Sequence, residues 1–95
     1  MLGGRELAIV EHVIENSPIK LAELENWIME RYGIGQSAAY KAVYRLRKAG
    51  VLRFRRSGNT IFVEVTPQFV SLVTRLYAKL LEKQAHRVRY FERRG

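Results

Sequence analysis

Cysteine and aspartate are absent from this chain of 95 residues, and proline occurs only twice. Without cysteine there can be no disulfide framework, no thiolate metal site and no thiol catalysis. All nine acidic residues are glutamate, so the short carboxylate that metal and phosphoryl-transfer sites commonly use is missing. No apolar run approaches the roughly 20 residues of a membrane span, and residues 1–6 lack the pattern of a secretory signal. We therefore expect an intracellular, cytoplasmic protein with no metal, no cofactor and no membrane partner.

Positive charge is plentiful and unevenly distributed. Lysine and arginine total 17, which gives a net charge of +8, and 47% of the residues are hydrophobic, as in a globular domain. Residues 1–34 carry a net charge of −3, residues 35–66 carry +6, and residues 67–95 carry +5. This uneven distribution of charge indicates that residues 35–66 and 67–95 would form the surface that binds a polyanion. The alternative is that these cations only solvate exposed faces.

Apolar spacing of three and four residues predicts three successive helices. The first extends from Arg5 to Asn16, with an inward stripe of Leu7, Val10 and Ile14 that Ile9 and Val13 broaden. It stops at Ser17-Pro18, and Ile19-Lys20 follows as a short extended link.

The next two helices are separated by a tight glycine-rich turn. The second helix extends from about Leu21 to Tyr32, and the third from about Gln36 to Ala49. The third is expected to bury Ala39, either Ala42 or Val43, and Leu46.

After Gly50 the period changes from 3.6 to 2, which predicts a β-hairpin. Leu52 and Phe54 alternate with Arg53 and Arg55, and the second strand, Thr60 to Val65, places Ile61, Val63 and Val65 inward. Residues 56–59 are predicted to form the turn, with Arg56 at the tip. Phe62 falls on the outer face, for which the sequence offers no reason.

Thr66-Pro67 predicts the start of a long final helix, with threonine as N-cap and proline at the first helical position. This helix has two apolar stripes. The first, Phe69, Val73, Leu76 and Leu80, is expected to cover the core, and the second consists of Val70, Tyr77, Leu81 and Val88. The second stripe has no partner within the chain and predicts a homodimer. The alternative is that the helix curls across the core and both stripes are internal.

The segment Tyr32-Gly33-Ile34-Gly35-Gln36-Ser37-Ala38-Ala39-Tyr40-Lys41, continued through Ala49-Gly50-Val51-Leu52, resembles the winged helix-turn-helix family. Small archaeal and archaeal-virus regulators are the most similar in style. The resemblance covers about residues 5–66. It implies an α+β, mostly α fold, with a winged domain at residues 1–66 and a C-terminal dimerisation helix at residues 67–95. Gly35 stands where the family usually has serine or threonine as N-cap of the third helix.

The resemblance also implies a DNA-binding surface. The third helix would enter the major groove, and the hairpin, or wing, would lie on the backbone or in the minor groove. Gln36 and Ser37 would contact bases, Tyr40 and Tyr44 would pack on sugar or thymine methyl groups, and Lys41, Arg45 and Lys48 would contact phosphates. Arg53, Arg55 and Arg56 would supply the wing contacts. Alternatively, the tyrosines pack against the second helix and the wing arginines protect an edge strand.

These observations predict a homodimeric protein that binds double-stranded DNA in a sequence-specific manner, a transcriptional regulator without an evident small-molecule ligand. We do not expect an enzyme: His12 and His86 have no metal-type partner at helical spacing, and no Gly-Lys-Ser/Thr follows Gly33-Ile34-Gly35. A winged-helix protein–protein interaction module is the main alternative, although its third helix would more often be acidic or apolar. A membrane-surface anchor formed by residues 86–94 is the other, with only a short apolar face.

Overall fold

Within residues 2–94, which the computed structural model describes, four helices and three strands follow one another; side chains are described for residues 2–85. The elements are α1 (Gly4–Asn16), β1 (Ile19–Lys20), α2 (Leu21–Tyr32), α3 (Gln36–Lys48), β2 (Leu52–Ser57), β3 (Thr60–Val65) and α4 (Pro67–Arg94). The mostly helical α+β class is confirmed. The extended link at residues 19–20 is a strand, paired with β3.

The core lies between the first three helices and one face of the sheet. Its buried apolar side chains are Ile9, Val10, Val13, Ile19, Leu24, Ile28, Ala39, Val43, Leu46, Val51, Leu52 and Val63. From α3 it takes Ala39, Val43 and Leu46, so the inward face predicted for this helix is confirmed, with Val43 rather than Ala42 as its central member. This row fixes which side of α3 is left for solvent.

The face predicted for α1 is partly wrong. Ile9, Val10 and Val13 are buried, whereas Leu7 and Ile14 are more than half exposed. Five apolar positions on this helix span an arc wider than the core can cover, so one edge of the arc stays outside. The edge that stays outside is the one that holds Leu7 and Ile14.

The sheet is antiparallel, in the order β1-β3-β2. Its inner face, which packs on the helices, includes Ile19 and Leu52 around the central Val63. Its outer face holds Phe62, between Lys20 on β1 and Arg55 on β2. The central position of β3 explains an aromatic residue there, because both neighbouring strands shield it and the Arg55 guanidinium lies 5.7 Å from its ring centroid.

The hairpin turn is shorter than predicted. Gly58 and Asn59 alone connect the strands, with Gly58 at φ +61°, the positive value that a two-residue turn requires at its first position. Arg56 is therefore a strand residue paired with Ile61, not a tip residue. Its side chain belongs to the same side of the sheet as Phe54, opposite to Arg53 and Arg55.

The start of α4 is fixed by Thr66, as predicted. The Thr66 hydroxyl accepts a hydrogen bond from the backbone N–H of Phe69 at 3.2 Å and donates one to the carbonyl of Gly50. The Thr66 backbone N–H also donates to the carbonyl of Val51 at 2.9 Å. One hydrogen bond thus caps α4, and two join the helix start to the connection between α3 and β2.

Beyond its first turns α4 leaves the body of the protein, which contradicts the predicted core stripe. Phe69 packs against the core, but Val73, Leu76 and Leu80 are about half exposed. The alternative in which both stripes are internal is wrong for the same reason. A helix of 28 residues is about 42 Å long, whereas the shorter dimensions of the molecule are 29 and 20 Å. The body is too small to cover it.

The helix α4 is long enough to span a membrane, but its residues are too polar to do so. Across residues 2–94, no helix is both long enough and apolar enough to pass through a bilayer.

Candidate nucleic-acid interface

The turn between α2 and α3 sets the direction in which α3 leaves the core. Gly33 adopts the left-handed conformation at φ +61°, and its N–H donates to the carbonyl of Met29 to close α2. Gly35, at the N-cap of α3, is extended and provides no side-chain cap. The first backbone N–H groups of α3 are consequently left uncapped beside Gln36 and Ser37, a favourable place for negative charge.

All seven α3 residues that the sequence singled out are exposed: Gln36, Ser37, Tyr40, Lys41, Tyr44, Arg45 and Lys48. Helical spacing divides them into three rows. Ser37, Lys41, Tyr44 and Lys48 lie opposite the buried row, Gln36 and Tyr40 lie towards one flank, and Arg45 lies towards the other.

Tyr40 and Tyr44 stack on each other at the surface. Their ring centroids are 6.0 Å apart with an interplanar angle of 22°, and each residue is about two-fifths exposed. The pair forms a flat aromatic platform in the middle of the basic face rather than part of the core.

The flank of α3 that holds Arg45 meets the start of α1. A cleft of about 250 Å³ separates the two helices, and Arg5, Lys41 and Arg45 line it together with apolar side chains and Glu6. The Arg5 guanidinium is held 4.6 Å from the ring centroid of Tyr32. Sequence reasoning missed Arg5, because it belongs to the acidic first third of the chain and only the crossing of α1 and α3 brings it to the basic face.

The flank that holds Gln36 meets the hairpin through a second arginine that the sequence did not single out. The Arg47 guanidinium lies 4.6 Å from the ring centroid of Phe54 on β2. Arg56 lies on the same side of the sheet. Arg47 therefore joins the end of α3 to the hairpin and makes the basic surface continuous between them.

On the outer face of the hairpin, two predicted arginines share a carboxylate. Arg53 donates from Nε to Glu64 Oε2 at 3.2 Å, with its Nη2 in ion-pair contact at 3.1 Å, and Arg55 donates from Nε to Oε1 at 3.0 Å. Hydrogen bonds from Arg55 and then Arg53, opposed by partial desolvation, lower the pKa of the Glu64 carboxyl. Glu64 stays ionised at neutral pH and offsets part of the charge of the arginines.

Comparison of the sequence with protein-family models gives no match, and comparison with curated proteins gives none either. Solved structures do match. SSV1 F-93 has a TM-score of 0.60 at 15% identity, with 88% of this chain and 94% of F-93 covered. The transcriptional regulator PcaV from Streptomyces coelicolor has a TM-score of 0.57 at 18% identity, with 85% of this chain and 57% of PcaV covered. FabT from Streptococcus pneumoniae, solved in complex with DNA, has a TM-score of 0.59 at 10% identity, with 92% of this chain and 59% of FabT covered.

The TM-scores of 0.57–0.60 over 85–92% of this chain show a shared fold. This chain has the winged helix-turn-helix fold. It spans less than two thirds of the PcaV and FabT chains.

In this winged helix-turn-helix protein, α2 and α3 form the helix-turn-helix and the β2–β3 hairpin is the wing. Of the residues assigned to the dimer interface, Val70, Tyr77 and Leu81 are about half exposed or more, and the side chain of Val88 lies outside the described residues.

Proposed function

We propose that this winged helix-turn-helix protein binds double-stranded DNA through α3 and the wing, and that it acts as a transcriptional regulator rather than as an enzyme. The observation that carries the proposal is the charge on these two elements. Residues 35–66 contain seven cations and one glutamate, and all seven cations are exposed. The complex of FabT with DNA shows that a protein of this fold can bind DNA. A cytoplasmic location, where such DNA is available, belongs to the same proposal.

The rows of α3 suggest a division of roles within the major groove. Gln36 and Ser37 are at the N-terminal end of the helix, where recognition helices contact base edges, and glutamine can pair with adenine through two hydrogen bonds. Lys41 and Lys48 lie in the outermost row, one and three turns further along, and would contact phosphates together with Arg45. The stacked Tyr40 and Tyr44 would pack on sugars or thymine methyl groups.

The wing would contact the adjacent minor groove or backbone. Arginine is attracted to a narrow, A·T-rich minor groove because the negative potential is strongest there. Arg53 and Arg55 project from the outer face, and Arg56 projects from the other side of the same strand. The wing can therefore present cations to both walls of a groove.

Fluorescence anisotropy with labelled duplex and single-stranded oligonucleotides, at several salt concentrations, tests the proposal. We expect preference for duplex and a steep fall of affinity with salt. Lys41→Ala and Lys48→Ala should each weaken binding to every duplex and flatten the salt slope by about 0.9, the value for one lost phosphate contact. Lys79→Ala on α4 is the charge-matched control.

Sequence-specific binding has a separate test. Gln36→Ala should cost about 1–3 kcal/mol at one base pair of the preferred site and little elsewhere. Unchanged binding in Lys41→Ala, Lys48→Ala and Gln36→Ala would reject α3 as the DNA-contacting helix. Absence of any salt-dependent duplex binding would favour the protein–protein interaction module instead.

We also propose that residues 67–95 form a dimerisation element appended to the winged domain of residues 1–66. The apolar face of α4 is wide and exposed: Leu76 and Tyr77 are 57% and 60% exposed. At its base it continues into an apolar groove of about 270 Å³, lined by Ile14 of α1, Val65 and the first turns of α4. Exposed apolar patches of several hundred Å² mark interfaces, and this face joined to the groove is the candidate for one.

A second copy of the chain is the proposed partner, because a two-fold pairing of α4 buries the same face on both copies. Such a dimer could place two α3 helices about 34 Å apart, the repeat of the major groove.

Sedimentation of Tyr77→Glu with Leu81→Glu tests the dimer, since both charges would enter the interface. Ser71→Glu with Ala78→Glu adds the same charge to the opposite face of α4 as a control. We expect a folded monomer with weaker DNA binding for the first variant and a dimer for the control. Wild-type protein that sediments as a monomer at tens of micromolar would refute the dimer.

A further inference from the structure

Glu64 is the one acidic residue within residues 35–66, and it lies between the two arginines of the outer wing face. It is directly opposite Arg53 in the β2–β3 register, and Arg55 reaches it diagonally. The Glu64 side chain is 18% exposed, whereas both arginine side chains are 53% exposed. The carboxylate therefore lies beneath the two guanidinium groups, nearer the sheet.

We propose that Glu64 is a positioning residue that directs Arg53 and Arg55 into the minor groove and away from the phosphates, so that the wing distinguishes narrow A·T-rich duplex from G·C-rich duplex. This inference rests on the proposed DNA-binding function. It assigns a role in DNA recognition to Glu64, an acidic residue within a basic surface.

The reason lies in the donors that Glu64 occupies. A guanidinium binds a phosphate best through two parallel N–H groups on one edge. The Nε atoms of both arginines already donate to Glu64, and Nη2 of Arg53 is in ion-pair contact with it. A phosphate would have to displace the carboxylate from that edge. The remaining donors, Nη1 of Arg53 and the Nη groups of Arg55, are at the ends of the side chains and suit end-on insertion into a groove.

Phe62 restrains the pair further. Its ring centroid lies 5.7 Å from the Arg55 guanidinium carbon, on the same outer face, so Arg55 has an aromatic contact on one side and a carboxylate on another. Arg53 and Arg55, two residues apart on one face, would repel each other without the carboxylate between them. Glu64 thus fixes both the direction and the spacing of the two cations.

Two substitutions separate position from charge. Glu64→Gln removes the charge and loosens both arginines, whereas Glu64→Asp keeps the charge but is one methylene too short to reach both. Both arginines of the cluster are half exposed, and ion pairs with solvent-exposed members contribute little to stability. Both variants should therefore keep the wild-type fold, which circular dichroism and thermal melting would verify. Glu82→Gln on α4 is the control for the change in net charge.

Anisotropy with two duplexes of equal length, one with an A-tract and one with a G·C-rich centre, provides the readout. We expect the wild type to prefer the A-tract. Glu64→Gln should lose most of this preference, because the freed arginines bind phosphates instead. Its loss of affinity between 50 and 200 mM salt should then exceed that of the wild type by about threefold for each additional phosphate bound. Glu64→Asp, which can hold only one of the two arginines, should lose part of the preference and show a smaller increase in salt dependence than Glu64→Gln.

The outcomes distinguish the inference from the function on which it rests. Wild-type protein that binds no duplex would refute the proposed function. Wild-type protein that binds both duplexes equally, or a preference that Glu64→Gln and Glu64→Asp retain in full, would refute the role of Glu64 while leaving DNA binding intact. If one variant fails to fold, the preference measured for the other still decides.

Discussion

Thr66 is the residue whose loss should most directly disturb the junction between the winged domain and α4. It is 8% exposed, its hydroxyl caps α4 at the N–H of Phe69, and the same hydroxyl donates to the carbonyl of Gly50. Thr66→Val removes the hydroxyl and keeps the shape of the side chain. The lost cap costs about 1 kcal/mol, and the lost hydrogen bond costs about another 1 kcal/mol.

The free energy of unfolding should therefore fall by about 2 kcal/mol in Thr66→Val. For a domain of this size that corresponds to a decrease in Tm of about 8–16 °C, measured by circular dichroism together with urea unfolding. Thr66→Ser, which keeps the hydroxyl, is the matched control and should lose less than half as much. A loss below about 0.5 kcal/mol in Thr66→Val, or an equal loss in Thr66→Ser, would show that the hydroxyl does not hold this junction.

Two further predictions concern the interior. Ile9→Ala should lower the free energy of unfolding by urea by about 2–5 kcal/mol because Ile9 is fully buried. Leu7→Ala, at an exposed position of the same helix, should lower it by less than about 1 kcal/mol. Equal losses would contradict the face assigned to α1. Burial raises the pKa of Glu25 above its ordinary value of 4.5, so its ionisation costs stability as the pH rises past that value. Glu25→Gln should therefore be more stable than the wild type at pH 7 and gain nothing below about pH 4.5, and a gain that does not depend on pH would point to another cause.

The elements that could be predicted are those whose pattern has a single interpretation. The buried row of α3 follows from one narrow apolar arc, and the faces of β2 follow from the alternation of Leu52 and Phe54 with Arg53 and Arg55. The N-cap at Thr66 was predictable because threonine followed by proline combines two independent signals for a helix start.

The buried faces of α1 and α4 were mispredicted because the apolar pattern of each helix is compatible with more than one arrangement. In α1 the apolar arc is wider than the surface available, and the sequence does not show which edge is left out. In α4 a stripe of apolar residues indicates burial, but it does not distinguish burial against the same chain from burial against another copy. On this chain Leu76 and Leu80 are about half exposed.

Of the site residues that the sequence analysis missed, Glu64 could have been found from the sequence and Arg5 could not. A two-residue turn at Gly58-Asn59 fixes the register of the wing and places Glu64 opposite Arg53, so the correct turn length would have revealed the pair. Arg5 gave no such signal, since its approach to Lys41 and Arg45 depends on how α1 crosses α3.

Amide chemical-shift mapping is the sharpest test of whether α3 and the wing form the DNA-binding surface. Isotope-labelled protein is titrated with a duplex, and the shift of each backbone amide is followed by NMR. We predict that the largest shifts cluster in residues 36–48 and 53–62, with little change in residues 22–31 on α2. Shifts confined to α2 or α4, or no shifts at duplex concentrations that saturate a DNA-binding protein of this fold, would contradict this assignment.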